Sequence, residues 1–68
     1  MSADNMIYIQ KRGEKWWVWM GFASDDRKPK PKKRDINFDT EKEAAAYAAG
    51  WLYGEMVVEY GIIKLPEK

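Results

Sequence analysis

Positions 15–20 read Lys15-Trp16-Trp17-Val18-Trp19-Met20, three indoles within four residues. Successive side chains of an extended strand point to opposite faces of a sheet, so this segment must divide its tryptophans between two sides. Trp16, Val18 and Met20 share one face, and Trp17 and Trp19 share the other. A chain of 68 residues has material for one core. One sheet face can therefore be buried by the chain's own helix, and the other needs a separate cover.

Met6–Lys11 (MIYIQK) reads as a first strand and Lys15–Phe22 (KWWVWMGF) as a second, giving a β-hairpin over 6–22. A two-residue loop at Arg12-Gly13 pairs Lys11 with Glu14, an opposite-charge pair. It sets Ile9 opposite Trp16, Ile7 opposite Val18 and Tyr8 opposite Trp17. A one-residue slip would turn the isoleucines toward Trp17 and Trp19, so this register gathers Ile7, Ile9, Trp16, Val18 and Met20 on the inner face. Residues 23–33 (ASDDRKPKPKK) form a basic loop whose prolines and charges exclude a core strand. Residues 34–38 (RDINF) give a third strand with Ile36 and Phe38 inward.

Thr40 followed by Glu43 is a capping-box pattern, and Glu41 and Glu43 suit the positive end of a helix dipole. The alanine-rich segment predicts a helix over 40–60 that ends at Gly61 as a left-handed C-cap. Ala45, Ala48, Leu52 and Met56 are its expected core contacts. The tail 61–68, with Ile62, Ile63 and Leu65 before Pro66, has the option of a short fourth strand at a sheet edge. The fold expected is a single α+β domain: an antiparallel three-stranded sheet, hairpin plus third strand, packed by one long C-terminal helix.

Two surfaces then lack partners. Tyr8, Trp17 and Trp19, beside Met6, occupy the outer sheet face. Either the tail or the long loop folds over them, or they form an aromatic platform for a partner. On the helix, Ala46, Gly50 and Gly54 recur every four residues as a smooth strip. Helical glycines cost about 1 kcal/mol each against alanine, so the strip serves close packing, either on the chain's own sheet or on a second copy. A protein partner, a homodimer or both would cover Tyr8, Trp17, Trp19, Ala46, Gly50 and Gly54. Arg27, Lys28, Lys30, Lys32, Lys33 and Arg34 make the alternative case for nucleic acid, with phosphates on the bases and unpaired bases on the tryptophans. They serve equally well as a solvated hairpin tip guarding a sheet edge. Asp25, Asp26 and Asp35 bracket the run.

The chain contains no histidine and no cysteine, which leaves carboxylates as the strong metal ligands and bases. No serine or threonine has a nearby activating base, and no glycine loop cradles phosphate. Binding is expected, not catalysis, with no cofactor, metal or small-molecule substrate. At 46% hydrophobic and 34% charged the composition is that of a globular chain, and the net charge of +1 gives no global pull toward nucleic acid or lipid. No apolar run approaches the roughly 20 residues of a membrane span. Without cysteine or an export signal at the start, the expected location is the cytoplasm, that of a host cell if phage-encoded.

The run from Gly13 through Tyr47 combines an aromatic strand, a basic turn, Phe38-x-Thr40-x-x-Glu43-Ala44 and Tyr47. It resembles the three-strand-plus-helix arm-binding domains of phage-type tyrosine integrases, a resemblance that implies a sheet lying in the DNA major groove. This chain departs from those domains in carrying Trp17 and Trp19 where they carry Arg or Lys. Asp4-Asn5-x-Ile7-Tyr8-Ile9, Gly21-Phe22-Ala23-Ser24-Asp25 and Glu59-Tyr60-Gly61-Ile62 are similar to small phage and prophage proteins without an assigned activity. That resemblance implies an accessory or host-directed role, such as steric occlusion of a host factor, and carries no site residues.

Overall fold

The computed structural model describes residues 4–52, 54 and 58–68. Along the chain lie β1 (Asn5–Arg12), β2 (Lys15–Phe22), β3 (Ile36–Phe38), α1 (Glu41–Leu52) and β4 (Ile62–Lys64). Together they make a small α+β domain with one helix and a four-stranded mixed sheet in the order β3-β2-β1-β4. β1 and β3 run antiparallel to β2, while β4 lies parallel to β1. The tail thus forms a strand, and the sheet is wider and more mixed than the expected three antiparallel strands. Helix α1 is the crossover that carries the chain from the β3 edge to the β4 edge.

The hairpin register differs from expectation by two residues. Ile9 faces Val18, Ile7 faces Met20, Tyr8 faces Trp19, and Arg12 faces Lys15. The loop is therefore Gly13-Glu14, not Arg12-Gly13. Gly13 has φ +67°, and no described non-glycine residue has positive φ. Positive φ at the first central position alone marks a type II′ turn, which places glycine first. The expected loop would have forced Arg12 into the left-handed region. Because the slide is by two, every side chain keeps its predicted face.

Ile7, Ile9, Val18, Ala44 and Ala48 form the core cluster, with Trp16, Phe38, Tyr47 and Trp51 packed against it. Ala44, Tyr47, Ala48 and Trp51 follow i, i+3, i+4, i+7 spacing, one stripe of the helix. Ala45, expected inside, is exposed, because the stripe starts one residue earlier. Tyr47 stacks obliquely between Phe38 and Trp51, at centroid distances of 5.4 and 5.0 Å. Lys64 lies 5.3 Å from the centre of the Trp16 ring and pairs with Glu41 at 2.7 Å.

Helix α1 starts as expected. Glu43 N donates to Thr40 Oγ1 at 3.2 Å, and that hydroxyl donates to Glu43 Oε1 at 2.9 Å. The helix ends at Leu52, well before Tyr60. Gly54 N donates to the Trp51 carbonyl at 3.3 Å, the tightened last turn common at helix ends. Residues 58–60 are not helical, and the segments of the predicted helix at 53 and 55–57 lie outside the described residues, as do Met56 and the Leu52 side chain. Glycines at 50 and 54 are the local reason for stopping. Gly61, expected as the helix cap, instead has φ +71° at the turn into β4, where its carbonyl accepts from Ile7 N at 2.9 Å.

The third strand is shorter than the predicted 34–38. Arg34 and Asp35 belong to a turn in which Asp35 N donates to the Lys32 carbonyl at 2.9 Å and Lys32 N donates to Asp35 Oδ2 at 2.7 Å. The segment from Ala23 to Asp35 is therefore one long connection between β2 and β3. Its start is pinned to β1, with Ala23 N on the Asp4 carbonyl and Ser24 N on Asp4 Oδ2.

Candidate functional site

The outer sheet face carries Met6, Tyr8, Gln10, Trp17 and Trp19, as the alternation of β1 and β2 requires. Tyr8 and Trp19 face each other across the hairpin, with ring centroids 5.4 Å apart and planes tilted by 36°. The Tyr8 ring extends over Gly21, which has no side chain to block it. These aromatics are not a bare platform. Trp19 is only 4% exposed, Met6 7%, and Tyr8 and Trp17 are half-buried. Of the two readings of this face, cover by the tail or the long loop and a bare aromatic platform, the burial of Trp19 does not fit the bare platform, and the 23–35 loop lies across the groove from it.

A groove of about 460 Å³ lies where this loop meets the outer face. Tyr8, Trp19 and Phe22 line it, and Arg27, Lys28, Lys30, Lys32 and Arg34 line it too. Trp51 reaches it from the helix. The predicted basic run and two of the three predicted outer aromatics thus meet in one space. Trp17 and Lys33 do not line it. Phe22, 52% exposed, was passed over in the sequence because it reads simply as a strand terminus. Trp51 was equally hidden, since the stripe expected to face the sheet, Ala45, Ala48, Leu52 and Met56, leaves it out.

Charge in the groove is unevenly available. Arg27 forks onto Asp25, with Nε to Oδ1 at 3.1 Å and Nη2 to Oδ2 at 3.0 Å. The guanidinium holds the Asp25 carboxyl below its usual range, chiefly through this side-chain hydrogen bond, and Arg27 is raised in return. Among the described residues, no ion pair engages Lys28, Lys30, Lys32, Lys33 or Arg34. Lys15 is raised by its hydrogen bond and charge contact with Asp39, at the far side of the sheet near the helix start.

A second, more open cleft of about 500 Å³ adjoins the first, and Lys28 and Pro29 line both. Its other walls are Gln10 and Arg12 from β1 and the end of the chain from Leu65 to Lys68. The tail is laid along β1 by Leu65 N to the Ile9 carbonyl at 2.8 Å and Lys68 N to the Lys11 carbonyl at 3.0 Å. Gln10 Nε2 donates to the Pro66 carbonyl at 2.9 Å.

The predicted helix strip divides. Ala46 and Gly50 are exposed on α1, and a Cβ at Gly50 would meet nothing within 4 Å. Packing on the chain's own sheet therefore does not explain Gly50. Gly54 lies beyond the helix, where a Cβ would come within 2.8 Å of the Gly50 carbonyl oxygen. The three do not continue as one helical surface. No group of three or more His, Cys, Asp or Glu residues gathers as a metal site among the described residues, and no described helix is long and apolar enough to cross a membrane. Comparison of the chain with protein-family models, curated proteins and solved structures finds no match.

Proposed function

We propose that this chain is a non-catalytic module that binds single-stranded nucleic acid in the groove between the outer sheet face and the 23–35 loop. The observation that carries this reading is that Tyr8, Trp19 and five basic side chains line one space. Unpaired bases need a π-face and the backbone needs cations, and single-strand binders combine the two. Lys28, Lys30, Lys32 and Arg34 serve the phosphates. Tyr8, half-buried and backed by Trp19, serves a base. Readout of a duplex major groove by the sheet, as the integrase resemblance implies, would require a bare outer face. Here the loop occupies the approach, so a flexible single strand is the better fit.

The test is fluorescence anisotropy with a labelled single strand of about ten nucleotides, within the usual footprint of such modules, and with its duplex. The single strand binds at low salt and more tightly than the duplex, with a log–log salt slope of about −2 to −3 for three or four phosphate contacts. No binding of any oligonucleotide at low salt overturns the reading.

A second reading rests on a different observation, the exposed Ala45, Ala46 and Gly50 with open space above Gly50. It is self-association through the outer face of α1, which would suit a small accessory protein of phage type that occludes a partner's surface. Sedimentation at several concentrations tests it, and a mass that stays monomeric at high concentration ends it.

A further inference from the structure

Hydrogen bonds on β1 fix which way the backbone of β2 turns. Ile7 N donates to the Gly61 carbonyl, and the Ile9 and Lys11 carbonyls accept from Leu65 N and Lys68 N. These residues direct their main-chain groups to the tail and not to β2. Their partners on β2, Met20, Val18 and Trp16, therefore direct theirs away from β1 as well. β3 lies opposite Val18 and Trp16 and reaches no further than Ile36. Met20 is next in the series with no strand opposite, and no described residue outside the strands bonds its N–H or C=O. The aromatic groove fills that place. Met20, Gly21 and Phe22 line it, as do Arg34 and Asp35, the residues just before β3. The sheet edge is thus open where the basic side chains gather.

We infer that Met20 reads the Watson–Crick edge of an unpaired base through its own N–H and C=O, next to the base carried by Tyr8. The inference rests on the nucleic-acid reading above and adds to it how a base edge is recognised. An extended residue presents its donor and acceptor side by side and in one direction, as a hydrogen-bonded pair in a ladder requires. Every base carries a neighbouring donor and acceptor on its Watson–Crick edge, open to protein when the strand is single. The match therefore tolerates any sequence and rejects a duplex, whose pairing uses the same groups. An added peptide strand fits this edge less well. The Phe22 carbonyl already accepts from Asp25 N at 3.1 Å, which leaves Met20 as the complete donor–acceptor pair, and strand addition draws on a run of such pairs. Trp19 and Trp51 line the same groove and supply apolar surface for the ring.

The experiment compares oligo(dT) with oligo(N3-methyl-dT) of equal length on the intact protein by anisotropy. Thymine N3–H would face the Met20 carbonyl and O4 its N–H; the methyl group blocks both contacts and leaves the ring face and phosphate charge in place. Oligo(dT) binds about tenfold tighter, the worth of two modest net hydrogen bonds. Hydrogen exchange at the Met20 amide slows when oligo(dT) is bound and not when the methylated oligomer is bound. Equal affinity for the two overturns the edge readout and leaves the groove standing. A preference without slowing at Met20 overturns it as well, because the base is then read elsewhere, and so does equal slowing by both oligomers. Failure of both oligomers to bind removes the groove reading and the edge readout together. A poly-glutamate peptide that binds where neither oligomer does would assign the edge to an added strand and overturn both. The comparison needs no variant of the protein.

Discussion

The Tyr8 ring occupies the space that a side chain at position 21 would need. A Cβ on Gly21 would come within 2.9 Å of Tyr8 Cδ2 and closer still to Cε2. Gly21 sits one pair further along the hairpin on the same outer face, opposite Met6. The glycine therefore lets Tyr8 lie across β2 and meet Trp19.

Gly21→Ala separates the aromatic floor of the groove from the fold. The conflicting atoms belong to a ring that can rotate away, so the hairpin survives at a cost of about 1 kcal/mol. The ring loses its place against Trp19, and single-strand affinity falls by about tenfold, in line with the loss of one stacked base. Thermal melting and oligonucleotide anisotropy read the two effects independently. Unchanged affinity with a displaced ring would show that Tyr8 does not floor the site.

Trp19→Ala has the opposite character. At 4% exposure the indole is as hidden as Ile9, and truncating a buried tryptophan costs about 3–5 kcal/mol. That approaches the whole stability of a small domain, about 5 kcal/mol at the low end. Far-UV circular dichroism of Trp19→Ala should show loss of the fold, whereas half-buried Trp17→Ala should remain folded with a lowered melting point.

These two tryptophans also mark how far the sequence could be read. Alternation along β2 assigns every indole to its correct face, and that survives the register error because the slide was by two residues. The turn type was legible as well: Gly13 belongs first in a II′ loop, and pairing Lys11 with Glu14 outweighed it wrongly. What alternation cannot report is cover. The tail and the long loop were both available as cover, and pattern alone did not choose between them; the 23–35 loop is the one that lies across the groove from Trp19. The helix end was hidden for a related reason, since alanines continued the helical propensity while Gly50 and Gly54 were read as packing residues and not as a stop. Gln10 gave one signal that went unused: a polar side chain in mid-strand needs a partner, and the tail supplies one at the Pro66 carbonyl.

Gly13→Ala measures the turn directly. Nothing lies within 4 Å of a Cβ there, so the cost is backbone strain alone. Holding alanine at φ +67° costs about 1–2 kcal/mol, seen as a drop in melting temperature with no change in oligonucleotide affinity. A wild-type melting point would mean that the turn relaxes out of the II′ geometry without loss, which altered cross-strand NMR contacts between Arg12 and Lys15 would reveal.

Replacing Lys28, Lys30 and Lys32 together by alanine leaves the core untouched, since all three are exposed. If each meets a phosphate of a single strand, the log–log salt slope shrinks by about 2. Melting temperature should stay within about 2 °C, as for exposed substitutions elsewhere. A slope equal to wild type would place the phosphates on other residues.

Asp25 controls how much of this charge is free. Its fork with Arg27 holds the carboxyl below the ordinary 3.8, through the side-chain hydrogen bond first and the backbone one next. A lowered folded value means that the contact is fully present above pH 3.8 and is lost as pH falls through the lowered value. Protection of the Arg27 amide, which donates to Asp25 Oδ1 at 3.0 Å, should therefore be flat across neutral pH and decline only below about pH 4. Lys15 shows the reverse sense: its raised value keeps the Asp39 contact intact below 10.5 and releases it as pH rises through the raised value. Asp25→Asn removes the acid-side decline at Arg27 and frees a guanidinium that already lines the groove. Single-strand affinity at low salt should rise about threefold and the salt slope steepen by about 0.7, one added phosphate contact. An Asp25→Asn variant that binds no better, with its loop still ordered, would show that Arg27 faces away from the strand.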